Sequence, residues 1–144
     1  MIYPLLWMLF CCSEKESKQF NHVYNAGKKV YEQRCAACHQ SDGLGKQDIF
    51  PPLVGSQWIK KDPKLLASII QYGLGGEINV AGVTYRSAMP PQELSEEDLY
   101  SVVAYVRFAF AKQEVDFSID TIKPIVKQKR GTIYGQAELE ELFP

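Results

Sequence analysis

Two cysteines and a histidine in the run Cys35-Ala36-Ala37-Cys38-His39 constrain this chain more than any other feature. Thiols spaced by two residues can grip a metal, cycle through a disulfide, or be alkylated by a macrocycle, and each use demands different surroundings. Structural zinc takes four ligands, commonly from two such pairs or from one pair and two histidines. The body of the chain adds only His22, and His39 abuts Cys38 too closely to wrap one small ion with it. A dithiol oxidoreductase sets its pair near the start of a helix that follows a strand. Here the pair ends a helical pattern and no βαβ alternation surrounds it. The third use fits: Cys-x-x-Cys-His is the attachment signal for a c-type haem. Two thioethers clamp the edge of the ring, and the adjacent turn brings His39 beneath the iron as the proximal ligand. One covalent haem c is the expected cofactor.

A second axial ligand has to come from a loop long enough to fold over the opposite face. Met89, in "SAMPPQ", stands in a proline-fixed segment just before the last clear helix, while Met1 is the start and Met8 lies in an apolar leader. A lone methionine often only fills a gap. Its loop position and the exclusion of the other two favour Met89 as a ligand, and a Met/His pair raises the iron's potential.

The segments around these residues read as all-α, three to four helices wrapped around the haem. Val23, Gly27, Val30 and Tyr31 recur at helical spacing from Asn21, which is placed to cap that helix. Asp62-Pro63 caps and opens a second helix that stops at Gly73, and Ser95 caps a third that runs to about Ala111. "GGEINVAGVTYR" has room for a small hairpin, and no strand is long enough to nucleate a sheet. The expected organisation is a leader or lipoprotein-like signal at 1–12, a polar tether at 13–20, one haem domain at 21–113 and an extended tail at 114–144 ending in one helical turn. The leader's apolar run is too short to cross a bilayer, which takes roughly 20 helical residues. Cys12, or Cys11 beside it, is placed to carry a lipid, with Leu9 three residues before Cys12. A net charge of −1 gives no basis for binding nucleic acid.

Over residues 24 to 110, through "GKKVYEQRCAACH", "PPLVG", "AMPP" and "LYSVVAYV", the chain resembles a class I c-type cytochrome, and is similar to bacterial membrane-associated monohaem cytochrome c domains. That resemblance implies that the first and last core helices cross at Gly27, with Tyr31 one turn before the cysteines and Val102 and Tyr105 facing them. It implies that the Pro51 carbonyl accepts the Nδ1–H of His39 and that Leu53 packs beside the ring. Trp58, Tyr72 and Tyr85 become candidates to line the haem or approach its propionates. The chain departs from the small mitochondrial pattern in lacking a lysine run around the haem edge.

With both axial positions filled, no open site is left for a substrate. The expected function is therefore that of a single-electron carrier, not an enzyme, delivering electrons to or within a membrane respiratory complex. Leu44, Leu53, Ile69 and Ile70 are expected to wrap the ring. The expected partners are a membrane redox complex or soluble redox proteins. The apolar tail is expected to dock on another subunit, and a lipid or short hydrophobic anchor to hold the chain to the periplasmic side of a bacterial membrane. The alternatives are a haem enzyme or sensor with a displaceable methionine, and an accessory subunit whose haem is structural.

Overall fold

The computed structural model describes residues 3–128 and 133–143, with side chains from residue 17 onward. Its first element is longer than the apolar periodicity predicts. Helix α1 runs Tyr3–Arg34, straight through the segment expected as a polar tether, so Asn21 lies inside the helix and is not its cap. The physical reason is that no proline or glycine interrupts the chain between Leu5 and Ala26. Glutamate and lysine, which dominate 14–18, are also strong helix formers. Polarity marked the tether, but polarity does not break a helix. The side chains of Cys11 and Cys12 lie outside the described residues. Among those described, no helix is long and apolar enough to cross a membrane.

The C-terminal half of α1 packs across α4, Glu96–Ala111. A Cβ on Gly27 would lie 2.7 Å from the Tyr105 Cβ and closer still to the Ser101 carbonyl, so the backbones meet where only hydrogen fits. Aromatic rings flank that contact: Tyr105 lies 5.2 Å from Tyr24 and 5.4 Å from Tyr31, and Phe110 lies 5.1 Å from Tyr31. Such tilted and edge-on pairs contribute about 0.5–1.5 kcal/mol each beyond the area they bury. Val102 is fully buried beside them, and Gly27, Tyr31 and Cys35 share the buried side of α1.

Between these helices the chain forms the short α2 (Ala36–His39), a 3₁₀ turn at Trp58–Lys60, α3 (Pro63–Tyr72) and a hairpin of β1 (Ile78–Val80) with β2 (Val83–Tyr85). Asp62 caps α3 by accepting from the Lys64 N–H at 2.7 Å, and Ser95 caps α4 by accepting from the Asp98 N–H at 3.1 Å. The hairpin pairs Ile78 with Tyr85 and turns Ile78 and Val80 inward. Arg107, buried on α4, reaches the carbonyls of Ile59 and Lys61 and so ties α4 to the 3₁₀ turn.

The tail departs from the extended arm expected of it. Residues Ile119–Lys127 form α5 and Gln136–Leu142 form α6. Ile122 and Ile125 are buried in the cluster shared by α1, α3 and α4, while Tyr134 and Leu139 are buried in a second cluster with Trp58, Leu65, Leu74 and Ile78. Docking on another subunit was expected because of these apolar residues, and this chain's own core takes them in. Full burial of an isoleucine or leucine side chain is worth about 1.5–3 kcal/mol, which offsets part of the entropy lost in ordering the tail.

Candidate functional site

Cys35 stands between α1 and α2 as the N-cap of α2, its carbonyl accepting from the N–H groups of Cys38 at 3.1 Å and His39 at 2.9 Å. This single tight turn brings both sulfur residues and the imidazole to one wall of a cleft. Gln40 then adopts φ +62°, and its carbonyl accepts from the Tyr31 hydroxyl at 2.6 Å. The following loop returns over the turn. Gly45 donates to the His39 carbonyl at 2.9 Å, and Leu53 donates to the Gly43 carbonyl at 2.8 Å.

That return sets the Pro51 carbonyl 3.0 Å from His39 Nδ1. A carbonyl can only accept, so Nδ1 carries the proton and Nε2 keeps its lone pair for another partner. Desolvation in the cleft wall lowers the imidazole's pKa from its ordinary value, against the smaller opposing effect of the Pro51 hydrogen bond. A neutral imidazole with one tautomer fixed by a carbonyl is the form that binds metal.

No disulfide joins Cys35, which is buried, to Cys38, which is half-buried. Burial, with the neighbouring Cys38 adding to it, pushes the Cys35 thiol up to about 11. A dithiol catalyst needs the opposite, a thiol pKa lowered toward neutrality. The buried Cys35 thiol thus lacks the activation that the attacking thiol of such a catalyst needs.

Met89 lies on a separate loop and lines the same cleft as Cys35, Cys38, His39, Pro51 and Leu53. Its main chain is tied to Leu74: the Met89 N–H donates to the Leu74 carbonyl at 2.7 Å and the Leu74 N–H to the Met89 carbonyl at 2.9 Å. The rest of the wall is largely apolar, with Leu66, Ile69 and Ile70 from α3, Val106 from α4, and Ile78 and Val80 from β1. The cleft encloses a cavity of about 170 Å³ and opens to solvent at its mouth. Two alkylatable thiols, one neutral imidazole, one thioether and an apolar wall are a donor set that fits a haem.

Not every residue named from the sequence lies here. Trp58 lines the cleft, with its Nε1–H donating to the Asn79 carbonyl at 2.8 Å. Tyr72 instead donates its hydroxyl to the Ile125 and Gln128 carbonyls, and Tyr85 is buried on β2 in the second cluster. Leu44 is 59% exposed and stands outside the wall it was expected to form. The sequence reading missed Arg34, Ser87 and Gln92 at the cleft, and also Ile78 and Val80. Alternation along "INV" was the available signal for the last two.

A model of the cytochrome c family matches residues 24–109. The chain belongs to the cytochrome c family. It is 32% identical over 122 residues to cytochrome c-552 of Thermus thermophilus, covering 80% of this chain and 92% of that one. Membership of larger assemblies occurs among other relatives. The cytochrome c subunit of the quinone alcohol dehydrogenase of Gluconobacter oxydans is 37% identical over 86 residues, 58% of this chain and 18% of that one. Subunit CcoP of the cbb3-type cytochrome c oxidase of Rhodobacter capsulatus is 34% identical over 83 residues, 56% of this chain and 27% of that one. As a c-type cytochrome the chain is an electron carrier and not an enzyme, and its family implies a haem c cofactor.

Proposed function

We propose that this cytochrome carries single electrons through one haem c, joined by thioethers at Cys35 and Cys38 and ligated by His39 and Met89. The observation that carries this reading is the convergence of those four side chains on one apolar cleft, with His39 Nδ1 committed to the Pro51 carbonyl. Bound there, haem supplies an iron that gains and loses one electron. Cys35 and Cys38 hold the ring by its edge, His39 offers Nε2, and Met89 offers its sulfur from the facing loop. With His39 and Met89 both engaged as ligands, the protein would leave no open coordination site for a substrate. Leu53, Ile69 and Ile70 exclude water, which favours the less charged state of a buried redox centre.

The setting in this reading is the periplasmic face of a bacterial membrane, where a lipid on Cys12 or Cys11 tethers the chain near its donors and acceptors. One acyl chain gives only marginal attachment, so a membrane redox complex or further lipid would complete it. The relatives named as cytochrome subunits of a dehydrogenase and an oxidase support such a complex as the partner. Leu142, 54% exposed on α6, gives the outer side of the tail an apolar contact for a neighbouring subunit. Soluble redox proteins need less, since transient redox encounters bury under about 1,200 Å².

Intact-mass analysis of the matured chain under denaturing conditions is the test. One porphyrin retained per chain, lost when Cys35 and Cys38 are both replaced by serine, is the expected result. A chain that sheds its porphyrin on denaturation refutes the covalent attachment.

A further inference from the structure

Leu74 is the middle line of a three-line backbone ladder. On one side it pairs with Met89, and on the other it runs parallel to Tyr134 of the tail. The Tyr134 N–H donates to the Gly73 carbonyl at 3.2 Å, and the Gly75 N–H donates to the Tyr134 carbonyl at 2.7 Å. The sequence around Leu74 is built for this double approach. Gly73 has φ +81°, and a Cβ there would lie 2.6 Å from the Met89 carbonyl oxygen and 3.0 Å from Ile133. A Cβ on Gly75 would run into the Ile133 side chain.

The tail is also anchored beyond the ladder. Tyr134 is buried with its ring 6.0 Å from that of Tyr72, whose hydroxyl binds the carbonyls of Ile125 and Gln128. Leu139 is buried in the cluster that contains Leu74, and Met89 packs against that same cluster. Past Met89, the loop is next tied by the Gln92 N–H to the Ile70 carbonyl at 3.0 Å. Without the tail, the Leu74 segment would be an open edge bonded on one side alone.

We propose that Tyr134 is a positioning residue for Met89: by pairing with Gly73 and Gly75 it clamps Leu74, and through Leu74 it holds the methionine loop closed over the cleft. This rests on the reading of Met89 as an axial ligand. The consequence is that the tail sets how easily the methionine sulfur is displaced, although no tail side chain among the described residues lines the cleft wall.

The test uses the matured haem protein and two variants, a chain ending at Gln128 and the full-length Tyr134→Pro, which cannot donate to Gly73. Imidazole is titrated against the oxidised form, and amide hydrogen exchange is followed at Leu74, Met89, Val103 and Tyr105. Both variants are expected to bind imidazole about ten-fold more tightly, equivalent to about 1.4 kcal/mol. Exchange should quicken at Leu74 and Met89 while Val103 and Tyr105 stay protected. Unchanged imidazole affinity and unchanged exchange at Leu74 and Met89 would overturn the proposal. So would acceleration that is equal at Val103, which means only that the whole fold is weaker. If the shortened chain does not fold, Tyr134→Pro decides. If the unaltered protein shows no sulfur-to-iron absorption band, the ligand assignment has failed, and the exchange measurements still decide whether the tail clamps the loop.

Discussion

Among the described glycines, Gly27 stands in the closest contact with its neighbours. Gly27→Ala drives a methyl group into the Ser101 carbonyl and the Tyr105 Cβ. Backbone cannot swing aside as a side chain can, so the loss should sit near the top of the overpacking range, about 3 kcal/mol, read from denaturant unfolding. Tyr31→Phe is a gentler probe. It removes only the hydrogen bond to the Gln40 carbonyl, and should cost about 1 kcal/mol in the same measurement. Gly27, Tyr31, the cysteine pair and His39 were legible because helical spacing and a five-residue motif fix where their side chains go. Leu44 was not. It sits two residues past an Asp42 turn, in a loop with no repeating period to say which way a side chain faces.

Among the elements, those with local start and stop chemistry were the ones the sequence revealed. Asp62-Pro63, Gly73 and Ser95 mark α3 and α4 at their ends, and the helices begin and stop there. Ser95→Ala should therefore destabilise the fold by about 1 kcal/mol in thermal or denaturant unfolding, since the Asp98 N–H loses its acceptor. Helix α1 and the tail depart from what their sequences suggest for two different reasons. The polar stretch ahead of Asn21 contains no breaker, so α1 continues backward through it. Helices α5 and α6 take their stability from clusters built by residues far away in the chain, such as Leu65 and Val102, and no local pattern in 114–144 announces that contact. The Leu74–Tyr134 pairing is the extreme case, a backbone contact between segments about 60 residues apart, of which the sequence shows only the glycines that permit it.

At the level of the complete molecule, two distant segments meet across one apolar cleft: the turn after α1 supplies Cys35, Cys38 and His39, and the loop before α4 supplies Met89. A thioether ligand opposite histidine raises the potential of haem iron, so Met89→His is expected to lower the reduction potential measured by equilibrium titration. An unchanged potential would mean that Met89 is not bound to the metal. The most direct test of a two-sided grip is the visible spectrum of the oxidised, matured protein. The weak red absorption band of a sulfur–iron(III) bond should be present in the unaltered chain and absent in Met89→Ala. A spectrum without that band, or one that survives the Met89→Ala replacement, would contradict it.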